Sequence, residues 1–391
     1  MLRRLQPALA AFVVVGLLAA CSNTGSSPSA SAAAPSQGAS ASAPASPASP
    51  AASSNLKIGV VTDIGTLDDK NYNEYSYKGA QAGAQAIGAA NPPAIVPKDA
   101  SEYGTDIQSF VSQKFDIIIT VGFALTNETV KAAKANPTIK FIGVDQSPIC
   151  VDAQGNPDTT FKCAGDAKTV LPNYTSIYFA EDQAGYLAGI ISASASKSGI
   201  IGAIGGTTLC QPCNRYINGY IAGAQSVNPN IKVKVAYVTH DFSAAAFNDP
   251  VGGKNFGQSF ISTNKPDVLF QVAGKTGNGV LDAACAAGIW GVGVDVDQYQ
   301  SYPNADKCII TSAEKKLVNA VSQTLVKLAN GGSVVGDLLF NAQNDGVGAS
   351  PMTNVQLPDV QAKLDTAFAA MKAGTLKTCS GDCNAIAKST P

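Results

Sequence analysis

Short apolar runs alternate with longer helical stretches along the chain from residue 57 onwards. The apolar runs are rich in Val and Ile and have the length of buried strands. They lie at residues 57–62, 115–121, 140–144, 176–179, 200–204, 232–239, 267–273, 291–294 and 308–311. Helical stretches rich in Ala and Gly lie between them, at residues 75–89, 127–135, 183–196, 216–227, 280–287 and 317–329. Strands separated by helices of this size predict βαβ units and parallel sheets.

The length of this alternating region predicts two lobes, because roughly 335 residues exceed what one hydrophobic core usually holds. Each lobe is expected to be a three-layer α/β/α sandwich on a parallel sheet, with several hinge crossovers between the lobes. Breaks in the pattern predict these crossovers at residues 169–173, 295–302 and 331–336. Lobe 1 would then hold residues 56–172 plus about 297–330, and lobe 2 residues 173–296 plus about 331–391.

Residues 1–20 have the layout of a secretory signal peptide. Arg3 and Arg4 give a positive start, residues 9–18 form an apolar core, and Leu-Ala-Ala precedes Cys21. The apolar core is shorter than the ~20 residues of a transmembrane helix. Small residues followed by a cysteine resemble a bacterial lipobox, which implies cleavage before Cys21 and a diacylglycerol on its sulfur. A plain signal peptide with a cysteine there by chance is the alternative.

Residues 21–55 predict a disordered tether behind this lipid anchor. After Cys21 the segment is almost entirely Ser, Ala, Pro, Gly and Thr, with no charged residue and no large apolar one. Such a composition cannot bury enough apolar surface to fold. The sequence therefore predicts a folded module held at the extracytoplasmic face of the cell membrane by the lipid on Cys21.

Charge and cysteine content narrow the class of protein further. The 27 basic and 28 acidic residues form no basic stripe for nucleic acid, and no second apolar run of membrane length follows the signal peptide. Nine cysteines less Cys21 leave an even number in an exported chain, which predicts disulfides. Pairing of close neighbours would join Cys150 with Cys163, Cys210 with Cys213, Cys285 with Cys308 and Cys379 with Cys383.

The segment Cys210-Gln-Pro-Cys213 has two other interpretations, a redox motif or half of a zinc site. A zinc site needs further Cys or His ligands. His240 is the chain's only histidine, and no second close CxxC segment is present. We therefore expect no metal and no cofactor.

Polar residues and glycines follow four of the predicted strands, at the carboxyl ends where ligands bind in parallel α/β sheets. Asp63 comes directly after the first strand, where its carboxylate can accept two hydroxyl hydrogen bonds. In the same segment, Tyr72 offers a flat face to an aromatic ligand, and Asn73 can donate to and accept from a base edge. The ordinary alternative for this segment is a polar loop with a helix cap.

The other three segments are the glycine-rich residues 274–279, the acid-ending strand 291–298, and residues 311–316, which include Lys315. The glycines bring backbone close to whatever lies at the strand end, but they lack the GxGxxG spacing of a dinucleotide site. A lysine at the start of a helix is as often simply solvated.

Taken together, the four segments resemble the basic membrane protein family, the purine-nucleoside-binding lipoproteins of ABC importers. Further matching stretches are Gly122-Phe123 and residues 141–145, 179–189 and 216–223. The resemblance covers most of residues 57–329 in order. It implies a type I periplasmic binding protein fold, an ABC permease and ATPase as partners, and capture of a purine nucleoside between the lobes of a monomer.

The resemblance also implies roles for individual residues. Tyr72 and Phe242 correspond to the two aromatics that stack on the base, with phenylalanine more usual at the first. The residues that correspond to polar contacts of the base are Asn73 and Asp145, and those on the ribose side or lining the cleft are Asp63, Gly293, Asp295 and Lys315. Gly274 and Asn278 belong to the glycine-rich segment, where the family often has an acidic residue.

Three alternatives stay open at this point. A receptor of the same fold could bind another small solute such as a sugar, or a lipid-anchored sensor could pass its ligand to a signalling partner. A nucleoside hydrolase would need a DxDxGxDD calcium loop, but Val61 stands at the first Asp position and an extra residue separates Gly65 from Asp68. We therefore expect a binding protein and not an enzyme.

Overall fold

A computed structural model of the protein describes residues 54–146, 149–158, 160 and 162–391. Cys21, the predicted signal peptide and the predicted tether before Ser54 lie outside the described residues. Within the described part of the chain, no helix combines the length and the apolar character needed to cross a membrane.

The described residues form strands and helices that alternate along most of the chain. The strands are β1 (Ile58–Val61), β2 (Ala94–Ile95), β3 (Ile117–Val121), β4 (Lys140–Val144), β5 (Tyr174–Phe179), β6 (Ile200–Thr207), β7 (Lys232–Thr239), β8 (Val268–Val272), β9 (Trp290–Asp295), β10 (Ile309–Lys315), β11 (Gly336–Phe340) and β12 (Val347–Ala349). The helices are α1 (Tyr72–Ala86), α2 (Tyr103–Ser112), α3 (Thr126–Ala135), α4 (Ala167–Val170), α5 (Glu181–Ala195), α6 (Gln211–Val227), α7 (Ala244–Phe247), α8 (Pro250–Asn264), α9 (Gly274–Ala286), α10 (Gln298–Ser301), α11 (Leu317–Ala329) and α12 (Val360–Lys372).

These strands form two six-stranded sheets, one in each lobe. The order in lobe 1 is β11-β5-β4-β3-β1-β2 and the order in lobe 2 is β12-β10-β9-β8-β6-β7. All neighbours pair in parallel except β12, which runs antiparallel to β10. Strands such as β1, β3 and β8 are buried at every position, as expected for parallel sheets covered by helices on both faces. The predicted two-lobed α/β fold of the type I periplasmic binding proteins is confirmed.

The chain crosses between the lobes later than the sequence pattern predicts. Because β5 pairs with β4, the first crossing follows Phe179 and not residue 172. Because β10 pairs with β9, the second follows Lys315 and not residue 296. The third lies between β11 and β12, and not near residue 330, since β11 pairs with β5. Lobe 1 therefore contains β1–β5 and β11, and lobe 2 contains β6–β10 and β12.

Asn173 accounts for the first of these differences. Its side-chain amide donates to the carbonyls of Ala133 and Asn136 at the end of α3 and of Ile139 just before β4, at 2.9–3.0 Å. The proline-containing break before it is therefore a turn that feeds β5 into the lobe 1 sheet. A break in an apolar pattern marks where one element ends, but it does not say which sheet the next strand joins.

Helices α5 and α6 of lobe 2 cross in direct backbone contact. A Cβ added at Gly185 would lie 2.1 Å from the carbonyl oxygen of Tyr216, and one at Gly219 would lie 2.0 Å from that of Asp182. No larger residue fits at either glycine without separating the helices. This close crossing fixes the first turns of both helices, which face the junction of the lobes.

The structure contains the four disulfides that pairing of close neighbours predicts. They join Cys150 with Cys163, Cys210 with Cys213, Cys285 with Cys308 and Cys379 with Cys383. The Cys379–Cys383 loop lies on α6, where Asn218 donates to the carbonyls of Cys383 and Ala385. The C-terminal residues thus pack on lobe 2.

Candidate functional site

A cavity lies between the lobes, at the carboxyl ends of both sheets. It encloses about 590 Å³ of empty space, counting the part that opens to solvent. Seven of the ten predicted ligand residues line it: Asp63, Tyr72, Asn73, Asp145, Gly274, Asp295 and Lys315. They come from five separate loops and strand ends, which the parallel topology brings to one place.

The other three predicted residues lie elsewhere. Phe242 is 44% exposed and does not line the cavity; its ring packs against Phe123, with the ring centroids 5.4 Å apart. Phe123 and Phe247 line the cavity instead, with their ring centroids 6.3 Å apart. Phe242 follows a strand of lobe 2 as predicted, but the loop continues through α7, which brings Phe247 inward.

Asn278 connects the lobes. Its side-chain amide donates to the backbone carbonyl of Asp69 in lobe 1 at 2.9 Å, and its oxygen accepts from Gln298 at 2.9 Å. Gly293 is a packing position inside the lobe 2 sheet, because a Cβ there would lie 2.4 Å from the hydroxyl of Ser312. Both residues support the cavity from behind its wall.

The two lobes present their carboxylates by the same local device. Gly143-Val144-Asp145 ends β4 and Gly293-Val294-Asp295 ends β9. The two aspartates have φ angles of 59° and 64°, in the left-handed region that non-glycine residues rarely adopt. Each such residue costs about 1–3 kcal/mol, and such residues concentrate at functional sites.

Lys315 lies at the centre of a buried charge cluster that joins the lobes. Its Nζ is 2.5 Å from Oδ2 of Asp145 in lobe 1, 3.1 Å from Oε1 of Glu181 and 3.7 Å from Oδ1 of Asp295 in lobe 2. Arg215 lies behind it, with its Nε 2.6 Å from Oε2 of Glu181. Three carboxylates therefore share two cations in a place with little water to screen them.

Burial and ion pairing shift the pKa values of the groups in this cluster in different directions. Burial acts to raise the pKa of Glu181, but Arg215 and Lys315 together hold it below its usual value. Burial also raises the pKa of Asp145 and Asp295, and Lys315 offsets only part of this effect. Burial acts to lower the pKa of Lys315, but the three carboxylates raise it well above its usual value. Lys315 is thus protonated at neutral pH.

Asp63 has a separate environment at the end of β1. Its Oδ1 accepts hydrogen bonds from the Tyr103 hydroxyl and, at 2.7 Å, from the backbone N–H of Ile64. Burial raises its pKa to about 6 even though both hydrogen bonds lower it. Gly122, with a φ of 116°, leaves the space that the carboxylate occupies, since a Cβ there would overlap Asp63.

The structure adds cavity residues that the sequence patterns did not indicate. Asp69 lines the cavity while its carboxylate accepts from the backbone N–H groups of Asn71, Asn73 and Glu74 at the start of α1. From sequence alone it is an ordinary helix cap. Tyr216 also lines the wall, and its hydroxyl donates to Asp295 at 3.1 Å. Glu181 and Arg215 are separated widely in sequence, so no local pattern pairs them.

Two buried acceptor atoms of cavity residues have no hydrogen-bond partner among the described residues. They are Oδ1 of Asn73 and Oδ1 of Asp145. Leaving such an atom unpaired costs about 1–3 kcal/mol. A ligand that donates hydrogen bonds to them would recover this free energy.

The family model of the Bmp proteins, described as "ABC transporter substrate-binding protein PnrA-like", matches residues 56–372. The chain belongs to this family. Bmp proteins are the substrate-binding components of ABC transporters, so this protein binds a small molecule and is not an enzyme.

Individual relatives agree with the family. The chain is 29% identical to the ABC transporter nucleoside-binding protein BmpA of Lactococcus lactis subsp. cremoris, over 80% of this chain and 87% of that protein. It is 26% identical to the CD4+ T-cell-stimulating antigen of Listeria monocytogenes, over 80% and 85% of the two chains. An ABC transporter solute-binding protein from Aeropyrum pernix K1 has the same fold, with a TM-score of 0.68 at 20% identity over 84% of this chain and 94% of that one.

Replacing Lys315→Met tests the charge cluster. It leaves Asp145, Glu181 and Asp295 buried with one cation fewer, so we expect a loss of about 3–5 kcal/mol in the free energy of unfolding at pH 8. The folded variant then binds protons more readily than the unfolded chain, so the loss should shrink as the pH falls towards 5. Urea unfolding at several pH values measures both effects.

Lys316→Met is the matched control, because that side chain is 40% exposed and forms its ion pair with Glu314, outside the buried cluster. It should cost no more than about 1 kcal/mol. An equal effect of the two substitutions, or a loss that does not vary with pH, would contradict the account of the cluster.

Proposed function

We propose that the protein captures a purine nucleoside in the cavity and presents it to an ABC permease and its ATPase, working as a monomer anchored through a lipid on Cys21. The observation that supports a nucleoside as the ligand is the combination, in one cavity, of aromatic faces with buried hydrogen-bond acceptors. A nucleoside has the matching parts, a flat base and a ribose with hydroxyl donors.

The aromatic side chains support a flat ligand. The Tyr72 hydroxyl donates to the carbonyl of Val144 at 3.2 Å, and its ring centroid lies 5.4 Å from Nζ of Lys315. These contacts hold the ring in one orientation before a ligand arrives. With Phe123 and Phe247 in place of Phe242 as its partners, Tyr72 offers the base a preformed apolar slot.

The polar side chains support a ligand that donates hydrogen bonds. The unpaired oxygens of Asn73 and Asp145 would accept from N–H groups of the base, while Asp63 and Asp295 would accept from ribose hydroxyls. Four carboxylates line the cavity, Asp63, Asp69, Asp145 and Asp295, against the single amine of Lys315. This excess of negative charge disfavours a phosphorylated ligand and favours the free nucleoside.

Hydrogen bonds between the lobes support a mechanism in which the two lobes close over the ligand and bury it. Lobe 2 donates to the loop before α1 through Lys275, whose Nζ is 3.1 Å from the Thr66 hydroxyl, and through Ser301, whose hydroxyl is 2.8 Å from the carbonyl of Lys70. The same loop carries Asp63 and Tyr72. When the lobes close, these inter-lobe hydrogen bonds would form at the same time as the ligand-binding residues of the loop reach the ligand, as in receptors that close about a hinge.

The name of the Lactococcus relative supports the same ligand class, since that protein is called nucleoside-binding. A sugar is the second candidate, because several carboxylates facing one cavity also suit a molecule with many hydroxyls. A sugar hydroxyl can also donate to the unpaired amide oxygen of Asn73, so the aromatic faces of the cavity are what favour a nucleoside over a sugar.

Calorimetric titration of the purified protein with guanosine, inosine, adenosine, guanine, ribose, glucose and guanosine monophosphate tests the proposal. We expect nucleosides to bind with micromolar or tighter affinity, the monophosphate to bind far more weakly, and no free base to be released. Binding of a sugar alone would contradict the nucleoside assignment and leave the transport function standing.

Asp63→Ala tests the ribose contact. Loss of a hydrogen bond to a charged group costs about 1.5–3 kcal/mol, so nucleoside affinity should fall at least tenfold while the thermal midpoint changes little. Asp365→Ala, at an exposed position on α12, is the control and should bind normally. An unchanged affinity for Asp63→Ala would remove this residue from the site.

Cys21→Ala tests the anchor. The unsubstituted protein should fractionate with membranes and carry a lipid on its N-terminal cysteine by mass spectrometry, because a lipobox directs that modification. The variant should lose the lipid. Detection of an unmodified Cys21 in the mature wild-type protein would refute the anchor without affecting the ligand site.

A further inference from the structure

One disulfide of the protein lies in the wall of the ligand cavity. Cys210 and Cys213 line it together with Pro212, which lies between them, and the two cysteines are only 2% and 5% exposed. No half-cystine of the other three disulfides lines this cavity in the part of the chain that the structure describes. A reagent in solution therefore approaches these sulfur atoms through the ligand cavity.

The position of this disulfide favours its reduced form more than an ordinary loop disulfide would. Cys210 is the N-cap of α6, a helix of 17 residues, and its sulfur accepts from the backbone N–H of Cys213 at 3.1 Å. After reduction, the same N–H group and the positive end of the helix dipole would stabilise a thiolate on Cys210. Stabilising the dithiol raises the reduction potential of the pair.

The residues that follow the disulfide hold the ligand site. Arg215 binds Glu181, the partner of Lys315, and on its other side its Nη1 lies 2.9 Å from Oδ1 of Asn384. Tyr216 donates to Asp295 and lines the cavity. The disulfide closes the first turn of α6, so opening it would loosen the segment that orients both residues.

We infer that Cys210–Cys213 is a redox-modification site in the cavity wall, and that its reduction and the occupancy of the cavity oppose each other.

The disulfide is reduced by exchange with a dithiol. A thiolate of the reductant attacks one sulfur, the Cys210–Cys213 bond breaks and a mixed disulfide forms. The second thiol of the reductant then closes its own disulfide. Two electrons and two protons pass to the cysteines. The coupling is reciprocal. If a bound ligand lowers the equilibrium constant for reduction of the disulfide by some factor, the ligand binds the reduced protein more weakly than the oxidised protein by the same factor.

Graded reduction of the full-length protein by dithiothreitol tests the inference. Thiols are trapped with N-ethylmaleimide and assigned by peptide mass spectrometry, with and without saturating guanosine. Cys379–Cys383 is the internal control, since it also closes a short loop but lies outside the cavity. At equilibrium, half of Cys210–Cys213 should be reduced at a ratio of reduced to oxidised dithiothreitol about tenfold lower than the control pair needs, and guanosine should raise that ratio by a similar factor.

The double variant Cys210→Ser, Cys213→Ser gives a second measurement. It should bind guanosine about tenfold more weakly than the matched Cys379→Ser, Cys383→Ser variant, with both variants shown to be folded by circular dichroism.

Simultaneous reduction of all four disulfides in the ligand-free protein would overturn the inference, whatever the effect of guanosine. Unaltered labelling despite calorimetrically bound guanosine would overturn the coupling. The coupling rests on the proposed function; failure of guanosine to bind would contradict that function alone, because the order of reduction without ligand needs no nucleoside.

Discussion

The ion pairs of Lys315 connect the two lobes of this molecule at a buried point between their sheets. The lysine ends β10 in lobe 2, and its closest partner, Asp145, directly follows β4 in lobe 1. Removing these charges from water is costly, and only good geometry with several partners offsets the cost. Glu181, Arg215 and Asp295 supply those partners, and the close crossing of α5 and α6 holds the first two in place. The closed arrangement of the lobes and the binding site thus depend on one cluster.

Several features of the site lower the stability of the folded protein. Asp145 and Asp295 have left-handed backbone angles, Asp63 is half-buried with a raised pKa, and acceptor atoms of Asn73 and Asp145 are unpaired. Each feature costs free energy that the surrounding sheets supply. A ligand with a flat base and several donors would recover part of it, which links selectivity to the closed state.

The sequence predicts the fold class well because parallel strands buried on both faces leave a continuous apolar signature. The four disulfides also follow from it, since each joins near neighbours along the chain. The points where the chain crosses between the lobes do not, because contacts distant in sequence, such as those of Asn173, decide which sheet a strand joins. The strand-end residues that line the cavity could be predicted from their position, whereas the places of Phe247 and Asp69 in the cavity wall could not. The first depends on the path of a loop, and the second has an ordinary role as a helix cap that hides its place on the cavity wall.

The most direct test of this account is a crystal structure of the protein grown with guanosine. The account predicts the base between Tyr72 on one side and the Phe123–Phe247 pair on the other, with its N–H groups on Asn73 and Asp145 and the ribose hydroxyls on Asp63 and Asp295, beside an intact Lys315 cluster. A guanosine bound outside this cavity, or one whose base makes no contact with Tyr72, would contradict it.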